Sequence, residues 1–463
     1  MSHLLSTLLL YILLHEWQTP EEIADRYARL NHNYTGPHCG SFDIKPIACS
    51  EGTDDAQAAA AWSNLALSLA ALLFNPIVGS HSDLWGRRPM ILASIFVLLL
   101  PVLALVLLMV IPTFHPIWYY LSNSVIGAFN FVGLMFAAFS DILPESLRAQ
   151  SYGLFIAVFF GGYAIAPSLP LVLNHLQTAI ASLILTFLSF AMALVWLPET
   201  LSDDVQQSAR LKRSNERNNE NGHSFCLLGI IKRPFDEITI LAKDKILALL
   251  AAGSFFSSMV FASDSTLVLY YIEEQLDVGD KDIASMFLML GIVGLILQGG
   301  AVQPLVQWLG EKRLLVVTFA FGSFHNILYG LARTKFTIYI ALMVSQLTKL
   351  NTPVLSSLAS KDADKEEQGR IQGALSASNA IAFSLGPLTM EFVYHRTKNT
   401  NLGPGFMWFY AAMLYAVGTC LIAFIPSDKN PDDPVVLLGD NTGDPEIPEN
   451  DSLEQPLLQG SDE

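Results

Sequence analysis

The chain has 463 residues, 52% of them hydrophobic and 15% charged, whereas soluble domains carry about a quarter charged residues. So little polar surface cannot cover a water-facing molecule of this size, which excludes a soluble enzyme, a nucleic-acid binder and a disordered regulator. The net charge of −16 is concentrated in two stretches: 11 acidic residues and one basic from Pro426 onward, and 8 acidic and 3 basic between His15 and Asp55.

A helix crossing the hydrocarbon core needs about 20 apolar residues, because its backbone must bond internally in lipid. The first apolar run, Leu4 to Leu14, is too short to span alone. It lacks the basic flank and small-residue cleavage site of a signal peptide. It is expected to be a first helix, continued by polar residues into a protein-lined core or cut short by the choice of start codon. An acidic loop follows, carrying Cys39, Cys49 and the triplet Asn33-Tyr34-Thr35. The two cysteines can form a disulfide in an oxidising compartment, and Asn33 can accept a glycan. Apolar runs then occupy 55–78, 90–111, 116–140, 150–172 and 177–197. The segment 201–244 is polar and of mixed charge, and is expected to be a flexible linker. Six further runs lie at 246–271, 283–303, 314–332, 336–357, 371–393 and 404–425. The tail from 427 to 463, rich in Pro, Asp, Glu and Gly, is expected to be disordered. Within it, Glu454-Gln455-Pro456-Leu457-Leu458 resembles an acidic dileucine sorting signal.

With twelve alternating crossings, 17 lysines and arginines fall on one side and 8 on the other. The asymmetry places both termini in the cytoplasm. The chain then divides into an N-terminal six-helix bundle (1–200), a cytoplasmic linker (201–244), a C-terminal six-helix bundle (245–426) and the tail. A repeat is visible across the two halves: Gly153 and Pro167 stand 14 residues apart, as do Gly373 and Pro387, with an offset of 220 and a charged loop before each pair. Repeats of this kind are common in transporters.

After the second crossing comes Gly79-Ser-His-Ser-Asp83-Leu-Trp-Gly86-Arg87-Arg88-Pro89. Gly79 permits close approach of a neighbouring helix and Gly86 a turn closed to other residues. Asp83 can accept hydrogen bonds from arginine or from an opposing helix N-terminus. The two arginines hold the loop at the membrane face. This segment resembles the loop signature of the major facilitator superfamily, and the resemblance extends over the whole chain. It implies an all-α membrane protein of two six-helix bundles related by a pseudo-two-fold axis. Asp141, Pro144, Glu145 and Arg148 resemble the end of the fourth helix in drug-proton antiporter and tetracycline-resistance-like members. Gly162 and Pro167 resemble the signature of the fifth helix, with Ala166 where a second glycine is expected, and they are expected to pack helices, as are Gly386 and Pro387 in the second half. Leu197-Pro198-Glu199-Thr200 resembles the family's ending of the sixth helix. Gln303 to Arg313 resembles a degenerate second copy of the loop, with Gln307 in the place of Asp83. The branch looks most similar to tetracycline-resistance-like and proton-coupled folate transporter-like carriers. It departs from proton antiporters at Asn123, where many of them carry an arginine four residues before a glycine, here Gly127.

The resemblance implies a gate latched on the cytoplasmic side by Asp83, Arg87, Arg88 and Arg148. Among intramembrane polar residues, Asp264 is a candidate proton carrier and Lys349 a candidate attractor of an anionic solute group. Asn130, Gln298, His325, Gln346 and Asn379 suggest a polar cavity. No metal cluster, cofactor motif, nucleotide loop or catalytic triad is visible. The expectation is a secondary carrier of a small organic solute, coupled to protons, in the plasma membrane or an endosomal or vacuolar membrane. The alternative is a receptor or chaperone on the same scaffold.

Overall fold

The computed structural model describes residues 19–39, 46–165, 173–219, 234–276 and 280–425, and none of them is in a strand. The first apolar run, Pro167 and the acidic tail lie outside the described residues. Eight helices among the described residues are long and apolar enough to cross a membrane. The expected crossings at 150–172, 336–357 and 371–393 are helical where described, but fall outside that set of eight.

In chain order, an outer helix α1 (Thr19–Asn31) precedes α2 (Ile47–Trp85), α3 (Arg87–Val110), α4 (Ile117–Ile126), α5 (Phe131–Ile142), α6 (Glu145–Ile165) and α7 (His175–Trp196). A polar helix, α8 (Asp203–Asn219), leads to the second half. There α9 (Lys245–Leu276) is followed by α10 (Asp280–Ile296), a π-turn at Leu297–Ala301 and α11 (Val302–Leu309). Then come α12 (Glu311–Leu331), α13 (Lys335–Ser345), a 3-10 turn at Gln346–Leu350, α14 (Asn351–Lys361), α15 (Gln368–Thr397) and α16 (Phe406–Ala423). Large apolar side chains such as Ile184, Phe187, Ile296, Phe336 and Phe392 stand exposed on the helices. On a soluble protein such patches would be unstable, whereas lipid is their natural solvent.

The described part of the acidic segment before α2 is cross-linked and hydrogen-bonded. Cys39 and Cys49 are joined by a disulfide, with Cα atoms 5.6 Å apart. Buried Asp25 accepts from the Cys39 N–H at 2.9 Å and pairs with Arg29. Arg26 donates to the carbonyls of Leu108 and Pro112 at the end of α3. Asn33 is exposed, with φ of 50°.

The linker departs from expectation, since α8 makes its first half helical. Asp203 and Asp204 sit in the first turn, where the helix dipole favours them. Its basic side chains find partners on both halves. Arg210 donates to the Leu84 carbonyl at 2.8 Å and lies over the Trp85 ring. Lys212 pairs with Asp364 at 2.7 Å and Arg213 pairs with buried Glu237. Intramolecular ion pairs thus hold in place a helix that has no apolar face to bury.

The main inter-half packing is α2 against α15 and α6 against α10 and the π-turn. Two membrane helices are broken in corresponding places. α4 gives way to α5 after Ile126, and α13 gives way to the 3-10 turn at Gln346, 220 positions later. That offset equals the one between the paired glycines and prolines. Helices interrupted at matching positions of two repeats mark where a transporter binds its solute.

Candidate functional site

At one end of the α2–α15 contact the helices approach through glycine. A Cβ on Gly79 would lie 2.2 Å from the Gly369 carbonyl oxygen, and one on Gly373 would lie 2.3 Å from the Asn75 carbonyl oxygen. This approach brings the buried Asp83 carboxylate onto the free first-turn amides of α15. Oδ1 accepts from Gly369 N–H and Oδ2 from Arg370 N–H, both at 2.8 Å. An anion at a helix N-terminus satisfies donors that have no partner within their own helix. Asp83 therefore caps a helix of the other half, across 287 positions of sequence.

Arg87 holds that carboxylate from behind. It is fully buried, donating to Asp83 at 2.5 Å, to Ser82 at 2.7 Å and to Asp141 at 2.9 Å. Gly86, with φ of +99°, makes the turn between α2 and α3, and a Cβ there would meet the Glu199 carboxylate. That carboxylate accepts from the N–H groups of Arg87 and Arg88, so it caps α3. The Arg88 side chain donates to the Leu194 carbonyl at 2.7 Å, fastening α7 rather than the other half. Arg148 crosses between the halves, donating to the carbonyl and hydroxyl of Ser360 at 3.0 and 3.1 Å. Ser360 in turn bonds Gln368 at the start of α15. The structure thus gathers Gly79, Asp83, Gly86, Arg87, Asp141 and Arg148 into one network, with Arg88 at its edge. Sequence reasoning missed its partners on the second half, Gly369, whose N–H donates to Asp83, and Ser360, which accepts from Arg148; nothing in KDADKEEQGR distinguishes Gly369 from a glycine in any charged loop.

Beyond Asn75 and Gln372, away from this latch, a cavity of about 530 Å³ opens between the halves. This is a volume suited to a drug-sized solute. Phenylalanines contributed by both halves form much of its wall, among them Phe129, Phe136, Phe261 and Phe383. Asn130, Lys349 and Asn379 line it, as does Asn351. Asn130 caps α5, accepting from Gly133 N–H at 3.0 Å, and Asn379 accepts from the Ser254 hydroxyl at 2.9 Å. Lys349 projects from the 3-10 turn with its Nζ 3.9 Å from the centre of the Phe261 ring.

Four polar residues named from sequence, Gln298, Gln346, Asp264 and His325, lie outside the cavity wall. Gln298, in the π-turn, donates to the Lys349 carbonyl at 2.7 Å and so braces the turn that carries the lysine. Gln346 is buried within that same turn. Asp264 faces His325, with Oδ2 3.3 Å from Nε2. His325 Nδ1 lies 3.2 Å from the Phe321 carbonyl, which can only accept, so Nδ1 carries a proton there. Its Nε2 receives the Asn326 amide at 3.0 Å.

The remaining positions pack helices. A Cβ on Gly386 would lie 2.1 Å from the Met259 carbonyl oxygen, so α15 meets α9 there, and Pro387 follows within the same helix. Gly162 is buried in α6. No group of His, Cys, Asp and Glu among the described residues could hold a metal ion.

Comparison with known proteins agrees with this architecture. Residues 45–387 match the Major Facilitator Superfamily. The chain is 23% identical over 343 residues to hippocampus abundant transcript-like protein 1 of Homo sapiens, covering 73% of this chain and 64% of that protein. It is 25% identical over 355 residues to the class H tetracycline resistance protein of Pasteurella multocida, covering 75% of this chain and 81% of that one. The crystal structure of the human organic anion transporter MFSD10 (TETRAN) superposes with a TM-score of 0.72 at 16% identity, over 91% of this chain and 98% of the other.

Proposed function

The chain belongs to the major facilitator superfamily of transmembrane transporters, and from that premise we propose that it carries a small organic solute by alternating access, coupled to protons. The observation that carries this reading is the pairing of one inter-half cavity with a carboxylate latch on one side of it. Two bundles joined this way can pivot only when Asp83 leaves the α15 amides. Releasing a buried, hydrogen-bonded charge costs on the order of 3–5 kcal/mol if nothing replaces its partners. A cost of that size sets the balance between two conformations by powers of ten. The excess of basic residues in the loops on the latch side supports a cytoplasmic latch, an outward-facing cavity, both termini inside and Asn33 as a glycosylation site.

Asp264 is the proposed seat of the coupling proton. Its carboxylate lies 3.3 Å from His325 Nε2, and the His325 ring packs edge-on against buried Tyr329 and Tyr415. Asn130, Asn379 and Lys349 are the proposed solute contacts, with Gln298 and Gln346 setting the position of the lysine-bearing turn. The long outer loop and the weak sorting signal suit the plasma membrane or an endosomal membrane.

The test is solute flux in reconstituted vesicles, with and without a pH gradient. A gradient should accelerate flux of the carried solute. His325→Asn should leave solute exchange in place while removing its dependence on the gradient. Solute binding without flux under any gradient would instead make the protein a receptor on this scaffold.

A further inference from the structure

Lys349 is the only charged side chain among the described residues lining the cavity, which carries no aspartate or glutamate in its wall. The ammonium forms no ion pair or hydrogen bond with the described residues; the Phe261 ring is the one group recorded against it. Asp264 acts on it electrostatically but is bonded to His325 instead. A membrane protein places an ammonium at this depth at considerable cost, and such groups are retained where a ligand completes them. Phe261 supports the cation through its ring face while leaving the remaining ammonium donors to the void.

A second observation points the same way. Asn351, two residues on, is buried at 6% exposure, and neither its Nδ2 nor its Oδ1 has a hydrogen-bond partner. Buried polar groups are otherwise nearly always bonded. An unpaired ammonium and an unpaired amide at the edge of one void form a recognition site for a single negative group. The breaks in α13–α14 and in α4–α5 explain how they come to be there, since a broken helix turns side chains and backbone toward the cavity at membrane depth.

Resting on the transport reading above, we propose that the cargo is an organic monoanion with an aromatic or apolar body. Its anionic group meets Lys349 and the Asn351 amide, and its body lies among the phenylalanines. One cation in the wall selects one negative charge: a neutral analogue leaves Lys349 unpaired, and a cationic analogue is repelled.

The test uses the full chain in lipid nanodiscs and three probes of one shape: 2-naphthoate, 2-naphthamide and 2-naphthylmethylamine. The expected result is that naphthoate raises the melting temperature and binds at least tenfold more tightly than either of the others. Lys349→Met should abolish that preference and Lys349→Arg should retain most of it. Equal binding of the amide or the amine, no binding by any of the three, or unchanged naphthoate binding in Lys349→Met would each overturn the proposal. Should Lys349→Met fail to fold, the wild-type ranking and Lys349→Arg decide the matter. Vesicle flux separates this proposal from its premise. Naphthoate that binds through Lys349 but never crosses preserves the anion site and defeats the transport reading. Flux of neutral solutes indifferent to Lys349→Met does the reverse.

Discussion

The two turns that open α3 and α12 begin from similar sequences and end in different chemistry. Both carry a glycine at positive φ, Gly86 at 99° and Gly310 at 76°. In the first, Asp83 is buried and bonded to the opposite half. In the second, Gln307 is exposed, and the buried acid nearby is Glu311, which accepts from Ser357 and pairs with Lys361 within its own half. The first turn therefore joins the two bundles, whereas the second braces only one. Opposite Gln307's half, Gly153 meets Val302 and the Gln298 carbonyl, so apolar and backbone packing takes the place of a charged latch. Among the described residues, the inter-half bonds to Asp83 lie on the α2–α15 side, and Arg148 of α6 adds the hydrogen bonds to Ser360.

That asymmetry predicts a graded set of outcomes. The largest should come from Gly79→Leu, because the new side chain would meet the Gly369 backbone, which cannot step aside as a side chain can. Overpacking on this scale costs on the order of 1–3 kcal/mol or more, and solute flux should fall at least tenfold at equal surface abundance. Gly310→Ala has nothing within 4 Å of its new Cβ. Only its backbone opposes it, since φ of 76° with ψ of 155° is a region essentially reserved for glycine, at about 1–3 kcal/mol, and flux should change little. Equal losses from the two substitutions would erase the distinction between the turns.

Asp83→Asn should come next. It keeps the shape but removes the charge held by Arg87 and the two α15 amides, and flux should fall roughly tenfold, consistent with about 1.5–3 kcal/mol for bonds to a charged group. Gln307→Asp, the reciprocal change at an exposed site, should stay within about 0.5 kcal/mol in stability. If Asp83→Asn removes the protein from the membrane altogether, the residue serves folding and not gating. Arg210→Ala should have a smaller effect, about 0.5–1 kcal/mol, since its ring contact with Trp85 is at the surface.

The smallest effect concerns pH on the second half. Burial pushes the Asp362 carboxyl up to about 6, helped by its hydrogen bond with Asp244 and their mutual repulsion. Asp244 is held below the usual range, chiefly by the Ile246 N–H, which donates to it at 2.7 Å. Asp362 therefore binds more proton in the folded state than in the unfolded chain, whose aspartates titrate near about 3.9. Folding stability should fall as pH rises from about 4 to 6. Melting curves across that range should show a shallower decline for Asp362→Asn than for the parent chain.

Much of this was legible from the residues alone. The apolar runs from 55 to 425 became helices where described, and the Gly79–Pro89 segment pointed to the family. Asp83, Arg87, Asp141 and Arg148 fell into one network. What was not legible was the partner of each group. Lys349 could have snorkelled to the surface or paired with Asp264, but it instead faces a cavity over Phe261. His325 and Asn351 carried no signal beyond being polar within apolar runs. The linker looked unstructured because its charges were counted without the acidic groups that meet them.

The sequence by itself determined which segments enter the bilayer and where the turn signature lies. Transfer into hydrocarbon is settled residue by residue along a short stretch, so neighbours in the chain suffice to decide it. Only the tertiary structure decided that Asp83 caps α15 and that Lys349 stands unpaired in a void. Those outcomes depend on a carboxylate brought within 3 Å of a backbone amide across 286 positions of chain, and on which facing side chains fill the remaining space. No local pattern encodes a distance of that kind.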